Sequence, residues 1–329
     1  MLQTINKTME KWMPLVTPIS VALGILFSTW FSPYTAWVPW IFGFMTFSGS
    51  LSMNFGDLKR VLTHPFPILV FLTVIHILMP LLAWGIGHVV YPGDPLTITG
   101  LILLLCIPTG IVSFMWVSIY KGHIALTLSM ILIDTMLAPF LVPSTLSLLV
   151  GAKVEMDVWG MMEGLTWMIV VPSLLGMALN QWTRGEVKKT WGPRLSPFSK
   201  VGLAVVVMIN SSVIAGYFTE LTGKVIFLAF ICVLIVAMGY LIGWGVAKLL
   251  GWDRGVAVSM MFNCGMRNIS AGAVMAISYF PPPVALPVII GMVFQQMMAS
   301  SFAYLFFRRN SPESGVPTSG GVPGRSQSA

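Results

Sequence analysis

Three polar side chains crowd into a stretch that is otherwise apolar: Asn263, Arg267 and Asn268, within Met261-Phe-Asn-Cys-Gly-Met-Arg-Asn-Ile-Ser-Ala-Gly272. The stretch lies inside an apolar run from Val256 to Phe280. A guanidinium in hydrocarbon costs about 2.5–3.5 kcal/mol on insertion scales, so it is retained where it faces a cavity and something anionic. Arg267 lies about 20 Å from either end of the run at about 1.5 Å per residue, too far to snorkel easily. Gly265 and Gly272 weaken the helix around it, and an interrupted helix frees backbone groups that a cavity or ligand must satisfy. The chemistry on offer is recognition of an anion; the blander reading of the same residues is a helix–helix contact.

His76, Asp134, Glu163 and Arg267 are the ionisable groups within apolar segments. A carboxylate in hydrocarbon is protonated or paired. Arg267 is the expected partner of Asp134, provided their segments meet in the fold. Such a pair either fixes helix packing and moves nothing, or exchanges a proton. His76, in Ile75-His-Ile-Leu-Met-Pro80, titrates near neutral pH or stays a neutral hydrogen-bonding group. Glu163 lies close to its segment's start and reads as interfacial. Thr109, Ser113, Asn210, Ser211, Ser212, Asn268, Gln295 and Gln296 add neutral polar groups near the interruptions, whose plain reading is hydrogen bonds that join helices. Cys106, Cys232 and Cys264 have unrelated spacings, which supports neither a disulfide framework nor a metal site. No nucleotide motif, cofactor signature or paired-acid dyad is present, so an enzyme is not expected.

The elements that carry these residues are membrane spans. The chain has 329 residues, 56% of them hydrophobic and only 9% charged, with a mean hydropathy of +0.87. A soluble domain carries about 25% charged residues. Ten apolar segments are long enough to cross about 30 Å of hydrocarbon: Met13–Phe31, Trp37–Asn54, Pro67–Val90, Thr97–Tyr120, His123–Leu149, Val158–Asn180, Val201–Phe218, Val225–Leu250, Val256–Phe280 and Val284–Phe307. With the amino terminus cytoplasmic, all of the 18 lysines and arginines except Lys153, Lys224 and Arg267 fall on the cytoplasmic side. That asymmetry obeys the positive-inside rule. The net charge of +7 therefore reports orientation in a lipid bilayer, and no nucleic-acid partner is implied. The expected arrangement is a multi-pass protein of the inner (plasma) membrane, with both termini cytoplasmic. Residues 1–310 form the ten-span domain, and 311–329, rich in Ser, Pro and Gly, a disordered tail.

Ten spans divide into two halves of five, and an odd number per half inverts the second. The first and sixth segments contain Pro18-Ile-Ser-Val-Ala-Leu-Gly24 and Pro172-Ser-Leu-Leu-Gly176, and the fourth and ninth contain Cys106-Ile-Pro-Thr-Gly110 and Asn263-Cys-Gly-Met-Arg-Asn268. Matched interruptions in an inverted repeat mark a transporter's midplane site.

At these residues the sequence resembles the bile acid:sodium symporter family, from Lys11 to Phe307. The resemblance rests on the ten segments, on Gly49-Ser-Leu-Ser-Met-Asn-Phe-Gly-Asp-Leu-Lys-Arg60, on the run Cys106 to Pro139 and on Gly265-Met-Arg-Asn268. It implies an all-α membrane protein with a panel (spans 1, 2, 6 and 7) and a core (spans 3–5 and 8–10). It also implies that helices four and nine are broken and cross, and that core and panel move for alternating access. Members that couple to sodium resemble one another in an acidic-x-Gly-x-Gln-Asn sequence, which here has Asn263 and Arg267 at the acidic and Gln positions. Ser113-Phe114 stands for a Ser-Asn pair, Ile131 for a hydroxyl and Ile75 for a Gln. With oxygens thinned and a fixed cation present, the sodium sites are expected to be lost. The implied function is secondary transport of organic anions, bile-acid-like or small carboxylates. The candidate substrate-binding residues are Arg267, Asn268, Asn263, Thr109, Ser113 and Gln296, and Asp134, Arg267 and His76 are the coupling or ion-pair candidates, with protons the possible coupled species. The other reading is a non-transporting ligand sensor or scaffold.

Overall fold

The structure is a computed structural model that describes residues 15–53, 55–56, 65–151, 154–218 and 223–307. The expected tail 311–329 and the basic residues Lys7, Lys11, Lys59, Arg60, Lys153, Arg308 and Arg309 lie outside the described residues. The described chain is helical, apart from turns and one isolated β-bridge.

Helix α1 (Leu15–Leu26) is followed by Ser28–Phe31 and a 3-10 turn, Ser32–Trp37, that lead into α2 (Val38–Ser50), with a bend of 91° after α1. Next come α3 (Pro65–Val90), α4 (Pro95–Cys106), α5 (Val112–Ile119), α6 (Ile124–Val150) and α7 (Val158–Trp182). The chain ends its described part with α8 (Gly192–Val213), α9 (Gly223–Leu249), α10 (Arg254–Gly265), α11 (Ile269–Tyr279) and α12 (Ala285–Phe307). Among the described residues, six helical stretches are long and apolar enough to cross a membrane unbroken: α3, α6, α7, α8, α9 and Pro282–Phe307. The fourth and ninth apolar segments are each two shorter helices. The seventh begins at Gly192, well before the expected Val201.

Proline chemistry shapes two of the long helices. α3 and α7 each contain one π turn, Val74–Leu78 and Thr166–Val170, and each turn is followed directly by Met79-Pro80 or Val171-Pro172. Proline lacks an N–H and its ring presses on the carbonyl four residues back; the wider turn just before it relieves that clash. His76 sits in the first of these turns.

Small residues let the helices close on one another. Gly24 of α1 lies against the backbone of Met208 in α8, and Gly176 of α7 against Phe47 and Ser50 of α2. One contact joins the first and seventh apolar segments, the other the second and sixth. Both broken segments also start on an aspartate cap: Asp94 accepts from the Thr97 amide at 3.0 Å, and Asp253 from the Gly255 amide at 2.6 Å. At the junction of α5, α10 and α12, the Phe262 ring centroid lies 5.8 Å from that of Trp116, 6.0 Å from Tyr120 and 6.4 Å from Phe307.

Candidate functional site: the crossing of two broken helices

The two interruptions meet. Ile107 is extended (ψ 151°), the conformation that a following proline imposes, here Pro108. Met266 is also extended, and the Asn268 side chain caps α11 by accepting from the Ala271 amide at 3.4 Å. Thr109 and Arg267 then pair as an antiparallel bridge. Gly110 donates its N–H to the Met266 carbonyl at 2.8 Å, and Asn268 donates to the Pro108 carbonyl at 2.7 Å. In this pairing the N–H groups of Thr109 and Arg267 point away from the bridge and need other acceptors. Side chains supply both. The Thr109 amide donates to Asp134 Oδ2 at 2.6 Å, and the Arg267 amide to Gln295 Oε1 at 2.9 Å.

The other oxygen of Asp134 meets His76 Nε2 at 2.7 Å. Asp134 is fully buried and His76 is 9% exposed. The expected contact between Asp134 and Arg267 is not made: none of the three guanidinium nitrogens has a hydrogen-bond partner. The carboxylate is already committed to His76 and to the backbone of the broken fourth segment, so Arg267 keeps its hydrogen-bonding capacity.

Behind the crossing, the remaining polar candidates bond to one another. Thr109 Oγ1 donates to the Asn263 carbonyl at 3.0 Å and Ser113 Oγ to Asn263 Oδ1 at 2.7 Å. Asn263 Nδ2 lies 3.4 Å from Thr127 Oγ1 and 3.5 Å from Met130 Sδ. The expectation that both glycines mark the interruption is corrected in part. Gly265 ends α10 against the Tyr240 ring, whereas Gly272 lies within α11, where its small size admits the Ile107 side chain.

In front of the crossing is a cavity of about 940 Å³. Its wall includes Thr46, Gly49 and Ser52 of α2, Gly110 and Ile111 of the first break, Arg267 and Asn268 of the second, and Gln295 and Gln296 of α12. Lys188 and, from the early turns of α8, Lys200 complete it. Among the described residues no Asp or Glu lines this space. The first turns of α5 and α11 border it, and helix amino termini favour anions. Of the six substrate-binding candidates, Arg267, Asn268 and Gln296 are in the wall, while Thr109, Ser113 and Asn263 are behind it. Asp134 and His76 are also behind it. Gln295, Lys188 and Lys200 were not singled out by sequence as lining residues. The early start of α8 is what brings Lys200 there. At the far end of α11 from the crossing, the Tyr279 hydroxyl rests on Gly164 of α7.

Residues 39–221 match the profile of the family described as Sodium Bile acid symporter family. The chain is 52% identical over 296 residues, 90% of its own length and 97% of the relative's, to the Bacillus subtilis protein YbaS. It is 24% identical over 285 residues, 87% of each chain, to the Bacillus subtilis sodium-dependent transporter YocS. It is also 24% identical over 312 residues, 92% of this chain and 73% of the relative, to the probable chloroplastic sodium/metabolite cotransporter BASS2 of Oryza sativa subsp. japonica.

Proposed function

The chain belongs to the sodium bile acid symporter family, and from that premise we propose that it is a secondary transporter of organic anions that works without sodium. The substrates are bile-acid-like anions or smaller carboxylates, such as pantothenate precursors. The observation that carries this reading is Arg267: a residue 3% exposed, whose three buried guanidinium nitrogens have no protein partner, in a segment bordering a cavity that no described carboxylate lines. A substrate carboxylate supplies what that group lacks, and charge-assisted bonds to a guanidinium are about twice as strong as neutral ones. Lys188 and Lys200 raise the anion concentration at the mouth.

Sodium independence draws support from the polar groups behind the crossing. The oxygens of Thr109, Ser113 and Asn263 are engaged with one another, and the nearby Asp134 carboxylate is engaged with His76 and the Thr109 amide. A monovalent cation placed there meets Arg267 and is repelled, by about 4 kcal/mol at 4 Å with an effective dielectric of 20. In this proposal Arg267 takes the place of the ion, and the His76–Asp134 pair is the group that exchanges a proton.

The proposal includes ten spans in two inverted halves, a panel of spans 1, 2, 6 and 7 moving against a core of the rest, and an inner-membrane location with cytoplasmic termini. The reciprocal Gly24 and Gly176 contacts and the paired Asp94 and Asp253 caps support the two-fold relation. On that orientation, the cavity beside Lys188 and Lys200 opens to the cytoplasm. The test is uptake of a labelled bile acid and of a pantoate-like anion into proteoliposomes. Equal uptake in sodium and potassium, accelerated by an inward proton gradient, is expected. A strict sodium requirement would refute the ion-replacement reading.

A further inference from the structure

We propose that Gln295 is a positioning residue that sets the place of Arg267, and that it does for the second half of the molecule what Asp134 does for the first. The carboxamide of Gln295 takes both backbone groups of Arg267: its Oε1 accepts from the Arg267 N–H at 2.9 Å, and its Nε2 donates to the Arg267 carbonyl at 3.0 Å. An amide is the side-chain group that both accepts and donates in this geometry at any pH; an ionised carboxylate only accepts. The helix that presents Gln295 is itself pinned there, because the Tyr240 hydroxyl of α9 donates to the Gln295 carbonyl at 2.9 Å. The fully buried Tyr240 ring also fills the space beside Gly265, immediately before the break. Gln295 thus holds the backbone of Arg267, and Tyr240 braces both Gln295 and the end of α10.

The comparison with Asp134 gives the arrangement its logic. Thr109 and Arg267 are the two residues of one bridge. The N–H of each points outward, and each is taken by a side chain from the next apolar segment in sequence, Asp134 for Thr109 and Gln295 for Arg267. One clamp is ionisable and braced by His76; the other is neutral. Both clamps hold the backbone of the crossing, and Gln295 thereby holds the residue read above as the anion receptor. The inference rests on the reading of Arg267 as that receptor.

The test pairs Gln295→Leu with Gln295→Glu in the full-length protein. Hydrogen–deuterium exchange should show residues 266–268 losing protection in Gln295→Leu with the rest of the map unchanged, and keeping it in Gln295→Glu, whose oxygen still accepts from the Arg267 amide. Uptake should show KM raised by about tenfold or more in both, the size of one lost hydrogen bond. In the glutamate variant the carboxylate cannot donate, so the bond to the Arg267 carbonyl is lost. Unchanged protection at 266–268 in Gln295→Leu, loss of protection across the whole molecule, or a wild-type KM in both variants would overturn the inference. If the wild-type protein moves no anion, the transport reading fails, while exchange at 266–268 still decides the clamp.

Discussion

Arg267 is held by its backbone, while its buried guanidinium has no hydrogen-bond partner. A buried group without partners lowers stability by about 1–3 kcal/mol, more when charged, so its retention is a mark of use. Arg267→Gln should melt at a higher temperature than the wild type and yet lose uptake, since truncating a desolvated charge contact costs about 2–5 kcal/mol of binding. Thermal unfolding and proteoliposome uptake on the same preparation test both halves of that statement, and full uptake by the variant would sink the receptor reading. At this scale the sequence exposed the unusual groups but not their pairing. Arg267, Asp134 and His76 stood out because ionisable residues are costly in apolar runs. That Asp134 would choose His76 was not legible. The choice depends on which face of α3 turns inward, and the π turn at Val74–Leu78 shifts that face by about 100°, one residue's share of a 3.6-residue turn.

Among the elements, the interruption at Pro108 and Gly110 was readable because proline forces the residue before it out of helix. The second was readable only in part. Gly265 and Gly272 look alike in sequence, and only the packing separates a glycine that ends a helix on a tyrosine ring from one that lets two helices close. The same packing sets the cost of filling these sites. A bulky residue at Gly265 meets the buried Tyr240 ring, so it should lower stability as well as flux. Gly176→Val drives a side chain into Phe47 and Ser50 of α2 and should cost about 1–3 kcal/mol by overpacking. Gly245→Ala, with nothing within 4 Å of the added carbon, should not lower the melting temperature. Equal melting of the two variants would mean that α2 and α7 do not close on each other through that glycine.

For the molecule as a whole, the sequence's apolar segments and charge asymmetry foretold a multi-span membrane protein, and the family match agrees with that. The cavity was not foreseeable, because it is assembled from α2, α8, α12 and both breaks, segments far apart in the chain. Its predicted exposure is testable by labelling. Cys106, Cys232 and Cys264 are all buried, so a thiol placed on the cavity wall reports against a quiet background. Ser52→Cys should react with a membrane-impermeant maleimide in inside-out vesicles and not in intact cells, and a transported anion should slow the reaction. Labelling from the cell exterior alone would reverse the proposed orientation.

Tyr279 and Gly164 have a bearing on how α11 meets α7. Their contact is a hydroxyl laid on a residue with no side chain. Such a contact depends on fit alone, and steric fit is indifferent to ionic strength. The melting temperature should therefore fall as residue 164 grows, and by the same amount at low and at high salt.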